Sequence, residues 1–127
     1  SFDFDGVLDG QGRKAFRGTI DFRNGCCGSK GKEMERILLL SPDTVNRTLP
    51  IILCEEEDVE GAHGASIGRL NEDMLFYMGA RGIDEKTARD MMVRARLHAV
   101  IRRIPEQDLQ EKLYRFVEEA FADESLS

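Results

Sequence analysis

The chain has 127 residues, 41% hydrophobic and 33% charged, enough for one compact unit with a real core and no need of disulfide or metal staples. A net charge of -6 argues against a nucleic-acid partner, because phosphate recognition runs on surplus Lys and Arg, and no apolar run approaches the roughly 18–20 residues of a membrane helix. Cys26, Cys27 and Cys54 are odd in number and irregular in spacing, which excludes a secreted disulfide framework and points to reduced thiols in the cytoplasm.

Residues 1–67 are rich in glycine and in short β-prone runs. Phe2-Asp3-Phe4-Asp5-Gly6-Val7-Leu8 alternates apolar and polar as a half-buried strand does. Ala15 to Phe22 repeats the pattern, with Phe16, Ile20 and Phe22 on one face. Ile37-Leu38-Leu39-Leu40 and Ile51-Ile52-Leu53 are continuous apolar runs that suit strands buried on both faces. Turns are marked at Gly10 and Gly12, at Asn24-Gly25 through Gly28 and Gly31, and at Ser41-Pro42-Asp43. Five short strands are expected, with no helical period between them, so a βαβ arrangement is weakened. A β-solenoid fits this texture, and a sandwich fits nearly as well. No residue-level repeat decides between them.

Residues 68–127 are helical in pattern. Asn71 caps a helix carrying Met74, Leu75, Phe76 and Met78, which Gly79 and Gly82 end. Asp84 caps the next, with Ala88, Met92, Ala95 and Ala99 on one stripe. Pro105 opens the last, with Leu109, Leu113, Phe116, Val117 and Ala120 as its apolar face, fading at Ala122-Asp123-Glu124-Ser125. Strands followed by helices predict an α+β fold. The two parts are expected to form one structural unit, and a start at Ser1 rather than Met reads as a piece of a longer chain. Such a piece would leave open strand edges and pair with itself.

The most specific stretch is Asp58-Val59-Glu60-Gly61-Ala62-His63-Gly64-Ala65-Ser66-Ile67-Gly68-Arg69-Leu70, followed by Leu75-Phe76-Tyr77-Met78 and Arg81-Gly82-Ile83. Upstream stand Phe16-Arg17-Gly18-Thr19-Ile20, Leu38 to Asp43 and Thr48-Leu49-Pro50. In content and order this series resembles the SufB/SufD family of iron–sulfur cluster assembly proteins, over roughly positions 6–117. The resemblance implies terminal coils of a right-handed parallel β-helix followed by a C-terminal helical region. It also implies a non-enzymatic scaffold that pairs with a SufB/SufD-type subunit or with itself, docks the ABC-type ATPase SufC through its helices, and carries an iron–sulfur cluster only transiently. No phosphate-binding loop of the form Gly-x-x-x-x-Gly-Lys-[Ser/Thr] is present.

Within that resemblance His63 matches the histidine of the SufD branch, with Gly64 where the SufB branch carries an acidic residue. Gly61 stands where the SufD pattern often has cysteine, and the SufB cysteine position falls near Glu35. His63 lies between small residues, which leave a metal room to approach neutral imidazole. The plainer reading is a histidine bonded to a backbone carbonyl at a strand-to-helix corner. Cys26 and Cys27 point to opposite faces on a regular strand and converge on one metal only in a turn. Cys54 reads first as a small core hydrophobe and second as a ligand. The run Glu55-Glu56-Glu57-Asp58 with Glu60 reads as a solvated face. Met91 and Met92, with Arg94 and Arg96 on the outer part of their helix, mark the region for SufC. The alternative function is a β-solenoid interaction module without cluster work. A sugar-handling solenoid enzyme would need clustered carboxylates, which the sequence does not display.

Overall fold

The computed structural model describes residues 1–122. The chain divides after Arg69 into two compact units, the second beginning at Leu70, two residues beyond the expected boundary because the last strand runs on to Arg69.

The first unit holds five strands: β1 (Phe2–Leu8), β2 (Arg13–Phe22), β3 (Lys30–Leu39), β4 (Val45–Cys54) and β5 (Glu60–Arg69). β1, β2 and β3 each pair in parallel with the strand two further along the chain. One sheet has the order β1-β3-β5 and the other pairs β2 with β4. Register partners lie 31 residues apart in β1–β3, 32 in β2–β4 and 30 in β3–β5, a spatial repeat that no repeat of residue type announces. The turns stack in the same rhythm. Gly28 N donates to Asp58 O at 2.6 Å, Val45 N to Gly12 O at 3.0 Å and Gly10 N to Ser41 Oγ at 3.0 Å. Gly25 and Gly28, at φ of 94° and 76°, take the left-handed conformation that closes the β2–β3 turn.

The two sheets face one another. β2 alternates Arg13, Ala15, Arg17, Thr19 and Asp21 outward with Lys14, Phe16, Gly18, Ile20 and Phe22 inward. A Cβ on Gly31 of β3 would meet Ile20 at 2.7 Å, and one on Gly61 of β5 would meet Phe22 at 2.9 Å. Phe22 and Ile37 are buried between the sheets. Close approach at these glycines is therefore what lets the aromatic and aliphatic side chains interleave.

Two strand expectations change. β3 begins seven residues before Ile37, and β4 is not buried on both faces. Leu49, Ile52 and Leu53 are exposed, because β4 has only β2 as a hydrogen-bonded neighbour among the described residues.

The second unit comprises α1 (Glu72–Ala80), α2 (Glu85–Ile101) and α3 (Gln107–Ala122). The expected caps are in place: Met74 N donates to Asn71 Oδ1 at 3.0 Å, and Thr87 N to Asp84 Oδ1 at 3.0 Å. Gly82, at φ 85°, follows α1. Pro105 stands outside α3 rather than in its first turn, since Gln110 N bonds to Glu106 O at 3.0 Å and the helix starts at Gln107. The buried stripe of α2 is Ala88, Val93 and Ile101, not the alanines Ala95 and Ala99, which are exposed. The branched side chains remove more apolar area from water. On α3 Val117 is buried and Phe116 is 68% exposed. The expected fading beyond Ala122 lies outside the described residues. Parallel strands followed by helices give the α+β order that the sequence patterns predict.

Candidate functional site

At the Phe4 end of the first unit the space between the sheets is polar. Strand alternation and parallel register place side chains there in rungs: Phe2, Glu33 and His63 on one, Phe4, Glu35 and Ala65 on the next. Facing them on the other sheet are Lys14 with Asn46 and Phe16 with Thr48. Glu35 is 1% exposed and Glu33 5%. Lys14 makes an ion pair with Glu35 Oε1 and donates to Asn46 Oδ1 at 3.1 Å. Its ammonium also lies 4.7 Å from the Phe4 ring and 5.1 Å from the Phe16 ring, and the stacked rings shield the pair from water.

Burial opposes the charge of Glu35, but Lys14, helped by Thr48 and Asn46, overcomes it and holds the carboxyl below its ordinary value. Thr48 and Asn46 stand close enough to favour the charged form. Neither gives its second oxygen, Oε2, a hydrogen bond of ordinary geometry, and that atom is buried without a donor. The Glu33 carboxylate fills the space above Gly18 on the opposite sheet, where a Cβ would collide with it.

His63 is the fourth residue of β5, with six strand residues after it, so it does not sit at a strand-to-helix corner. Its side chain is exposed on the edge strand of its sheet. By register it lies beside Glu33 and on the same sheet face. Sequence reasoning found His63 through its small neighbours but missed Lys14, Glu33 and Glu35. For Glu33 and Glu35 the signal is charge at two successive inward positions of β3, which only a strand starting at Lys30 makes legible.

The cysteines sit apart from this rung. Cys26 and Cys27 do lie in a turn, with Cys26 N bonded to Arg23 O at 3.1 Å. Cys27 Sγ donates to Asp58 Oδ2 at 3.0 Å. That hydrogen bond first, then burial and the neighbouring Cys26, push the thiol up, away from the thiolate a metal needs. Cys54 is not a core hydrophobe. It is exposed and donates to Glu56 O at 3.0 Å. Among the described residues no group of three or more His, Cys, Asp and Glu is arranged to hold a metal ion. The acidic run is partly engaged by the neighbouring turn, where Gly25 N donates to Glu56 Oε2 at 3.0 Å.

In the helical unit Met91 is exposed and Met92 half-buried. Arg94 does not face outward as expected. It pairs with Glu118 of α3 and lies 4.9 Å over the Phe121 ring. His98 Nε2 approaches the same Glu118 carboxylate at 3.5 Å, and its ring meets Tyr114 edge-on at 4.8 Å. Arg96 is half-buried, its Nε without a hydrogen bond among the described residues. Besides Met91, large exposed apolar side chains are Met74, Phe76 and Tyr77 on α1 and Leu109 and Phe116 on α3, with Phe76 79% exposed. No helix among the described residues is long and apolar enough to cross a membrane.

Residues 1–96 match the family model described as SUF system FeS cluster assembly, SufBD core domain. SufD of Bacillus subtilis is 27% identical over 113 residues, covering 89% of this chain and 26% of that protein. A SufBD family protein of Mycobacterium tuberculosis is 34% identical over 101 residues, 78% of this chain and 12% of the relative. SufD of Escherichia coli is 28% identical over 89 residues, 70% of this chain and 21% of the relative. The chain thus spans about a quarter or less of these proteins. The matched segment contains the polar rungs, His63 and most of α2, and the chain belongs to the SufBD core-domain family of the SUF iron–sulfur cluster assembly system.

Proposed function

We propose that this chain is a non-catalytic scaffold segment of the SUF system, working in the cytoplasm, and that β1–β5 are coils of a right-handed parallel β-helix. Pairing of each strand with the second next, in two alternating parallel sheets, is the pattern such a coil produces. The scaffold pairs with a SufB/SufD-type subunit or a second copy, and the helices dock the ATPase SufC. His63 ligates the nascent cluster, which is cargo rather than a resident group. The observation that carries the reading is an exposed imidazole on an edge strand, set between small residues, in a chain of this family. A second subunit can bring further ligands beside it.

The experiment is anaerobic reconstitution with iron and sulfide in the presence of the partner subunit. A cluster absorption spectrum is expected and should disappear in His63→Ala. Capture of SufC by the full-length protein is expected in parallel, and failure of capture by a folded, active ATPase would overturn the docking assignment.

A second reading, an interaction module without cluster work, is favoured by one observation. Near the SufB cysteine position the chain carries Glu35, locked to Lys14. Reconstitution that yields no cluster with any partner would select this reading.

A further inference from the structure

Glu33 is a largely buried residue whose carboxylate has no ion-pair partner among the described residues. It is 5% exposed. Among the described residues no hydrogen bond or ion pair reaches it. The one ammonium between the sheets, Lys14, is engaged by Glu35 and Asn46. On β1 its register partner is Phe2, which offers no polar group, and on β5 it is His63. Position 18 on the opposite sheet is glycine, which leaves the carboxylate room.

Parallel strands run about 4.8 Å apart, and register partners project from the same face. An imidazole and a carboxylate so placed can converge on one ion. Glu35 is the wrong candidate for this role, because it is already paired and its partner on β5 is Ala65. We propose that Glu33 and His63 together form a two-ligand half-site for a divalent first-row metal ion of the iron(II) class, its remaining positions filled by water or by a second subunit. A mixed nitrogen and oxygen donor pair suits such ions. The inference rests on the reading of His63 as a ligand and adds Glu33 to it.

Titration of the chain with Mn²⁺ alone, followed by electron paramagnetic resonance, tests it. One bound ion is expected. Glu33→Gln should weaken binding at least tenfold with an unchanged melting curve, Glu33→Asp should restore part of the affinity, and Glu57→Gln on the acidic run should change nothing. In the parent protein, independent of any variant's folding, Mn²⁺ should broaden the NMR signals of residues 33 and 63 before others. Loss of binding in His63→Ala but not in Glu33→Gln would overturn the role of Glu33 and leave His63 as a ligand. Broadening centred on Glu55–Glu60, or no binding at all, would overturn the half-site. Capture of SufC and of a partner subunit decides the scaffold reading separately.

Discussion

The two units invert the usual partition in opposite senses. The β unit carries charge inside, at Lys14, Glu33 and Glu35, and has apolar residues exposed on β4, whereas the helical unit carries the most exposed aromatic bulk, at Phe76 and Phe116. Buried charge raises the energetic stake of every nearby substitution, because a broken pair leaves an ion stranded in low dielectric. Exposed apolar surface costs little until something covers it. The first arrangement is therefore sensitive and internal, the second tolerant and outward-facing. The units can be followed separately, since there is no tryptophan and both tyrosines, Tyr77 and Tyr114, lie in the helical unit.

The largest expected effect tests the internal arrangement. Lys14→Met strands Glu35 and should cost about 3–5 kcal/mol, while Lys14→Met with Glu35→Leu should recover most of it, because apolar replacement of a buried pair is often neutral. Urea unfolding followed by far-UV circular dichroism reads this, and a matching loss in tyrosine fluorescence would show that the two units unfold together. The same pair sets a pH dependence. Glu35 titrates below its ordinary value of 4.5 in the folded state, so its contribution is full above that value. It falls away as pH drops through the folded pKa. Acid titration should show this loss in the parent and not in the double variant.

Next in size is Gly18→Ala, which drives a methyl group into the Glu33 carboxylate and should cost about 1–3 kcal/mol, with less cost in a Glu33→Ala background. Removing the cap of α2 by Asp84→Ala should cost about 1 kcal/mol, visible in tyrosine fluorescence. The smallest effect on stability, within about 0.5 kcal/mol, is expected for Phe116→Ser and Phe76→Ser. Unchanged melting with weakened SufC capture would sharpen the contrast between the units, and a large loss of stability would break it.

How much of this was legible followed from where the determining contacts lie. Asn71 and Asp84 were found because a cap acts on a residue three positions away, and the strand-then-helix order because period and glycine content change together. His63 stood out through its immediate neighbours. β3 was read too short because Gly31, Glu33 and Glu35 occupy positions where a strand pattern calls for apolar residues. The partner of Glu35, Lys14, is 21 residues away in the chain. β4 and Cys54 were read as buried because apolar runs do not reveal which strand lacks a neighbour. Phe116 sits in a clean helical stripe, and only packing decides which part of a stripe is covered.

The spacing of the register partners governs how the β unit can assemble. Every rung joins residues 30 to 32 positions apart, so no two strands can zip from a hairpin. A circuit of chain must close before its first rung forms, and the loop entropy is lost in advance. Once one circuit exists, it templates the next. Nucleation is therefore slow and growth quick, and during the lag bare strand rims are exposed to other nascent chains.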